Sequence, residues 1–132
     1  SDYAETGVVS RVDLEIPIKD ASVDMIEDLD SLAPFGMGNP TPRIMLVNAH
    51  VAQVRILKEK HIKAILEDRM PDGSTKKVEA LIWNAVDTPF GDAVRNTQGV
   101  RVDALGALEV NDWQGRKSVQ MKLDDMRLAE DR

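Results

Sequence analysis

Leu32-Ala33-Pro34-Phe35-Gly36-Met37-Gly38-Asn39-Pro40-Thr41-Pro42 divides this chain into two kinds of sequence. Three prolines and two glycines fall within those eleven residues. Proline fixes φ and glycine opens positive φ, so the segment reads as a rigid, sharply shaped connector. On its N-terminal side the apolar residues repeat with a helical period. On its C-terminal side they follow the two-residue period of strands up to the chain's last few residues.

Working back from the connector, residues 22–33 read as a helix. Ser22 is a suitable N-cap and Asp24 sits favourably in the first turn. Met25, Ile26, Leu29 and Leu32 form one apolar stripe, and Pro34 stops the helix. Before it, Val8–Ile18 reads as a strand, with Asp13, Glu15 and Pro17 alternating with apolar residues. Pro17 places this stretch at a sheet edge or ends it. A single strand needs a partner, expected here in a domain outside this sequence.

Working forward, five strands are predicted, at Ile44–Leu57, His61–Asp68, Lys76–Asn84, Arg101–Val110 and Ser118–Met126. The first carries apolar residues on both faces, as a curved strand shared by two halves of a barrel would. Asp72-Gly73 marks a turn between the second and third. Asp87–Val94 is a short helix candidate, Gly106 a bend or bulge, and Asn111–Gly115 a loop. The order β-β-β-α-β-β outlines a five-stranded Greek-key OB-fold barrel; an SH3-like barrel has five strands as well. The expectation is a mostly β protein: an edge strand in residues 1–20, a helix and linker in 21–42, the barrel in 43–128 and a tail in 129–132.

The chain has 132 residues, 42% hydrophobic and 30% charged, an ordinary globular mixture. No cysteine is present, which removes disulfides, thiolate metal sites and cysteine nucleophiles and fits a reducing cytoplasm. No apolar run is long enough for a bilayer span, and the first residues carry no signal-peptide pattern. The chain does not begin with Met, as a piece of a longer protein would not. The net charge of −6 argues at first against a nucleic-acid partner. Its distribution changes that argument. Residues 1–33 hold nine acids against two bases, whereas residues 34–132 hold fifteen bases against fourteen acids. The acidity lies in the N-terminal arm, leaving the barrel free to present a basic face.

No catalytic constellation is visible. His50 and His61 stand alone, and Gly36-Met37-Gly38 lacks the following helix of a phosphate loop. Asp124-Asp125 would point to opposite faces of a strand, a poor metal site, and reads as solvated. Binding features are stronger. OB-folds hold single strands on the face of their second and third strands, walled by the loops joining strands one–two and four–five. Such binding needs cations along the phosphate path and rings for bases to stack on. Lys58, Lys60, His61 and Lys63 lie in and just after the first loop; Trp113, Arg116 and Lys117 lie in the second. Each also has a plainer reading, as solvating charge or as a ring folded over the barrel mouth. Trp83, beside Leu81 and Ile82, reads as core before it reads as a stacking platform.

Four segments, in order, carry a family resemblance. Pro34–Pro42 resembles the PFGxGNPxP linker of the RecJ family, single-strand-specific exonucleases among the DHH phosphoesterases. Lys60-His61-Ile62-Lys63 is similar to its KHLK strand, Ala80-Leu81-Ile82-Trp83-Asn84 to its xAIAFN strand, and Leu108–Gln120 to its LxINxWxGxxxxQ hairpin. The resemblance covers about residues 25–127. It implies the OB domain of a bacterial, cytoplasmic 5′→3′ single-stranded-DNA exonuclease of recombination and repair. It also implies that catalysis, with a divalent metal (Mg or Mn), belongs to an upstream DHH domain, since no catalytic motif of the family is matched here. Residues 8–18 resemble the last strand of the DHH-associated domain. The partners implied are single-stranded DNA, those upstream domains and a single-strand-binding protein, with the chain itself monomeric and without cofactor. The alternatives are a structural or protein-interaction OB module and an RNA-binding OB domain.

Overall fold

The computed structural model describes residues 11–32 and 41–130. Most of the Pro/Gly connector and the start of the expected first strand lie outside them. The described chain contains β1 (Leu14–Ile16), a one-turn 3-10 helix (Ile18–Asp20), α1 (Val23–Leu32), β2 (Ile44–Leu57), β3 (His61–Arg69), β4 (Thr75–Ile82), α2 (Pro89–Arg95), β5 (Arg101–Trp113) and β6 (Arg116–Leu128).

Strands β2 to β6 close on themselves. The sheet runs β1-β2-β3-β4-β6-β5, and β5 returns to pair with β2. The β2-β3-β4 meander is antiparallel, β4 runs parallel to β6, and β5 and β6 form a long antiparallel hairpin. This is the closed Greek-key path of an OB-fold, and it leaves the barrel strands without free edges.

The two-residue period explains the core. Ile62, Ala64 and Leu66 of β3, Val78 and Ala80 of β4, and Val119, Met121 and Leu123 of β6 all turn inward and are buried. β2 is shared between two halves of the barrel, as its two apolar faces require. It breaks at Asn48 (φ 53°), where its register with β5 shifts. Asn tolerates that left-handed conformation better than most residues. The Asn48 N–H donates to Asp103 Oδ1 at 2.9 Å, and the fully buried Asp103 also accepts from Arg127 Nε at 3.1 Å. Gly106 sits at a register shift between β5 and β6. A Cβ there would stand 2.0 Å from the Lys122 carbonyl oxygen, so only glycine permits the approach.

Three expectations need correction. β1 finds its partner within this chain: Leu14–Ile16 pairs in parallel with Ile44–Leu46, at the outer edge of the sheet. Locally, a parallel partner leaves no turn signal. Leu32 does not complete the apolar stripe of α1; it is 81% exposed, and the buried anchor of the helix is Ile26. Asp125 is not solvated, because alternation puts Asp124 outside and Asp125 inside, 1% exposed, where its Oδ1 accepts the Met126 N–H.

Both helices begin as their sequences require. Ser22 Oγ accepts the Met25 N–H at 3.0 Å, and Thr88 Oγ1 accepts the Gly91 N–H at 3.0 Å with Pro89 in the first turn. The 3-10 turn lies against β2, β3 and β4, while α1 lies against β5 and β6. Ile18, Ala21 and Ile26 thereby join the core cluster and close one end of the barrel.

Candidate nucleic-acid interface

The alternation that buries Ile62 and Ala80 turns their neighbours outward. His61, Lys63 and Ile65 of β3 stand beside Glu79 and Leu81 of β4 on the outer face. One step beyond the Ile62–Ile82 pair, Trp83 faces His61. The two rings meet edge-on, with centroids 4.6 Å apart and planes at 75°. His61 is fixed from a second side, since its Nδ1 accepts the Asn84 backbone N–H at 2.9 Å. An accepting Nδ1 carries a lone pair, so Nε2 is the ring's donor.

Trp83 is 58% exposed and is not core. The apolar Leu81 and Ile82 beside it mislead. Counting alternation from buried Val78 and Ala80 puts residue 82 inside and residue 83 outside, and that parity was legible in the sequence.

Cations surround this end. The β2–β3 hairpin turns at Lys58 (φ 51°) and Glu59 (φ 61°), and the Lys60 N–H donates to the Leu57 carbonyl at 3.0 Å. Two consecutive positive φ values make a type I′ turn. Lys58 and Lys60 are exposed and form no ion pair among the described residues. Lys63 Nζ reaches Glu79 at 3.5 Å. Arg55, directly across from Lys63 on β2, is exposed on the same face. Sequence reading missed Arg55 because it lies within an apolar strand between Val54 and Ile56.

The β5–β6 hairpin is tighter than the predicted five-residue loop. Its turn is only Gln114-Gly115, with φ values of 52° and 78°, again type I′. Trp113 pairs with Arg116, and Asp112 with Lys117. Trp113 is 64% exposed and shares the outer face with Arg116, Ser118, Gln120 and Lys122. Lys117 takes the other face. Its Nζ meets Glu27 of α1 at 3.0 Å. That hydrogen bond and the Glu27 charge hold the Lys117 ammonium above the ordinary lysine value, with Asp112 and Asp24 adding to it.

The seven candidate residues therefore do not line one opening. Lys58, Lys60, His61 and Lys63 gather with Trp83 at one end of the outer face. Trp113 and Arg116 form a second group. The parallel register of Glu79 with Gln120 sets the hairpin tip level with Thr75, at the other end of β4 from Trp83. At ~3.3 Å per residue the two indoles stand roughly 25 Å apart along the strands. Among the described residues no three His, Asp or Glu side chains gather as a metal site, and no helix is long and apolar enough to cross a membrane.

The chain is 27% identical over 124 residues to the single-stranded-DNA-specific exonuclease RecJ of Bacillus subtilis (strain 168), covering 92% of this chain and 15% of that protein. Among solved structures, it is similar to the mitochondrial single-stranded DNA binding protein Rim1 of S. cerevisiae, with a TM-score of 0.47 and 14% identity over 68% of this chain and 96% of that one. A small single-stranded DNA-binding protein of Streptomyces coelicolor gives a TM-score of 0.46 at 14% identity, over 69% of this chain and 95% of that one. The closed barrel path, the paired hairpins and the match of residues 12–125 to the family described as RecJ OB domain agree, and the chain belongs to that family.

Proposed function

We propose that this OB domain holds single-stranded DNA within a RecJ-type 5′→3′ exonuclease of recombination and repair in the bacterial cytoplasm. The carrying observation is the Trp83 end of the outer face. An exposed indole, braced edge-on by a tethered imidazole, stands among Arg55, Lys58, Lys60 and Lys63. Rings of this kind stack on any base, and cations beside them track the phosphates. Bond cleavage and its divalent metal belong to the upstream DHH domain of the parent chain; that domain, the DHH-associated domain and a single-strand-binding protein are the further candidate partners.

Titration with oligo-dT, read by tryptophan fluorescence at two salt concentrations, tests this reading. Binding is expected to be saturable at low salt and weaker at high salt, with log K falling by about 0.7 per phosphate neutralised for each tenfold rise in salt. The double change Lys60→Ala with Lys63→Ala should weaken binding and flatten that slope. No saturable signal at low salt would overturn the reading.

One observation favours a second role. Lys63 and Lys117 are already matched by Glu79 and Glu27, as on a surface that docks protein rather than polyanion. On that reading the barrel clamps neighbouring domains or recruits a repair partner, and oligonucleotides leave both indoles unchanged. Competition between DNA and RNA oligomers of equal length separates the RNA-binding alternative.

A further inference from the structure

We infer that one continuous single strand must engage Trp83 and Trp113 together, so that tight binding has a length threshold. This rests on the single-strand reading above and extends it to a two-ended site. The two tryptophans of the chain are also its two most exposed aromatic side chains among the described residues, at 58% and 64%. Both project from the same outer face, since Trp113 shares the parity of Arg116, Gln120 and Lys122, and Lys122 lies beside Leu81, two residues before Trp83.

Each indole has free cations near it. Lys58 and Lys60 lie in the turn that leads into His61, the ring against Trp83, and Arg116 pairs across from Trp113; none forms an ion pair among the described residues. The ground between differs. Toward the Trp83 end Lys63 is already matched by Glu79 at 3.5 Å; between the ends Lys77 stands across from Glu67, and Lys122 is matched by Glu109 at 3.7 Å. The middle of the path is thus close to neutral and offers no ring. Grip is concentrated at the two ends, and a ligand short of the gap gains only one of them.

The gap of roughly 25 Å along the strands sets the threshold. A single strand kept at the stacked rise of ~3.4 Å needs about eight nucleotides to cross it. A more extended strand needs fewer, down to about four, the smallest site seen for an OB-fold. Oligomers of three nucleotides should therefore reach one end only, and oligomers of ten or more both.

The test uses the 132-residue chain with Trp83→Phe and Trp113→Phe, each leaving one indole as reporter. With dT12 both reporters should titrate at the same concentration. With dT3 no concentration should saturate both with one affinity. In the unaltered chain, affinity should climb more than five-fold between dT3 and dT12 after correction for the number of binding registers. Trp83→Ala and Trp113→Ala should each weaken dT12 about five-fold or more. Two results would overturn the two-ended site while leaving single-strand binding intact: one reporter silent with dT12, or no climb in affinity with length. If neither reporter nor intrinsic affinity responds to dT12 at low salt, the single-strand reading falls and takes this inference with it. Should a variant fail to fold, the length series on the unaltered chain decides.

Discussion

Arg127–Asp103 and Lys117–Glu27 are ion pairs of nearly equal length, 3.1 and 3.0 Å, in opposite surroundings. The first lies in the seam where β2 breaks against β5 and β6; the Asp103 side chain is 0% exposed and Arg127 is 15% exposed. The second joins a hairpin tip to the face of α1, with both side chains 47% exposed. Distance alone makes them equivalent, but burial separates them. In the seam, Asp103 satisfies a broken strand's N–H and an arginine that water barely reaches. At the tip, solvent screens both charges and stands ready to replace either partner.

The largest expected effect comes from breaking the buried member. Asp103→Ala takes the buried carboxylate away from Arg127 and strips the Asn48 N–H of its acceptor. Urea unfolding should show a loss of about 3–5 kcal/mol. A loss below 1 kcal/mol would mean that burial does not distinguish the pairs. Next comes the packing of the same seam. Gly106→Ala presses a methyl group against the Lys122 carbonyl and should cost about 1–3 kcal/mol in the same assay. The exposed pair follows: Lys117→Ala should cost far less than Asp103→Ala, and the difference should vanish in high salt.

The smallest effect is a pH response. The Arg43 N–H, hydrogen-bonded at 2.8 Å, and the Arg11 guanidinium hold the Asp13 carboxyl below the ordinary aspartate value. A group whose folded-state value is depressed adds stability above its unfolded value and loses it as pH falls through the folded one. Asp13→Asn should therefore leave the protein slightly less stable at neutral pH and flatten the decline as pH falls through and below the ordinary aspartate range. An unchanged acid limb would show that β1 is held by its backbone pairing alone.

The barrel was legible because its signals are local. Alternation in β3 and β6, the Asp72-Gly73 turn, the short helix candidate at Asp87–Val94 and the Gly106 irregularity each lie within a few residues. What escaped was non-local or hung on a single step of parity. The parallel pairing of β1 with β2 bridges about thirty residues and leaves no turn to mark it. Trp83 was hidden by apolar neighbours. Lys117 was placed with Trp113 because a five-residue loop has no parity, whereas the two-residue turn at Gln114-Gly115 assigns adjacent residues to opposite faces.

The plug formed by Ile18, Ala21 and Ile26 has a practical consequence for anyone trimming this chain. A fragment begun at residue 43, where the β pattern starts, would carry every barrel strand yet uncover Ile44 and Leu108, which line a crevice with Ile26. The smallest piece expected to stay monodisperse begins upstream of β1. Ile18, Ala21 and Ile26, set in an otherwise acidic stretch, travel with the barrel as its stopper.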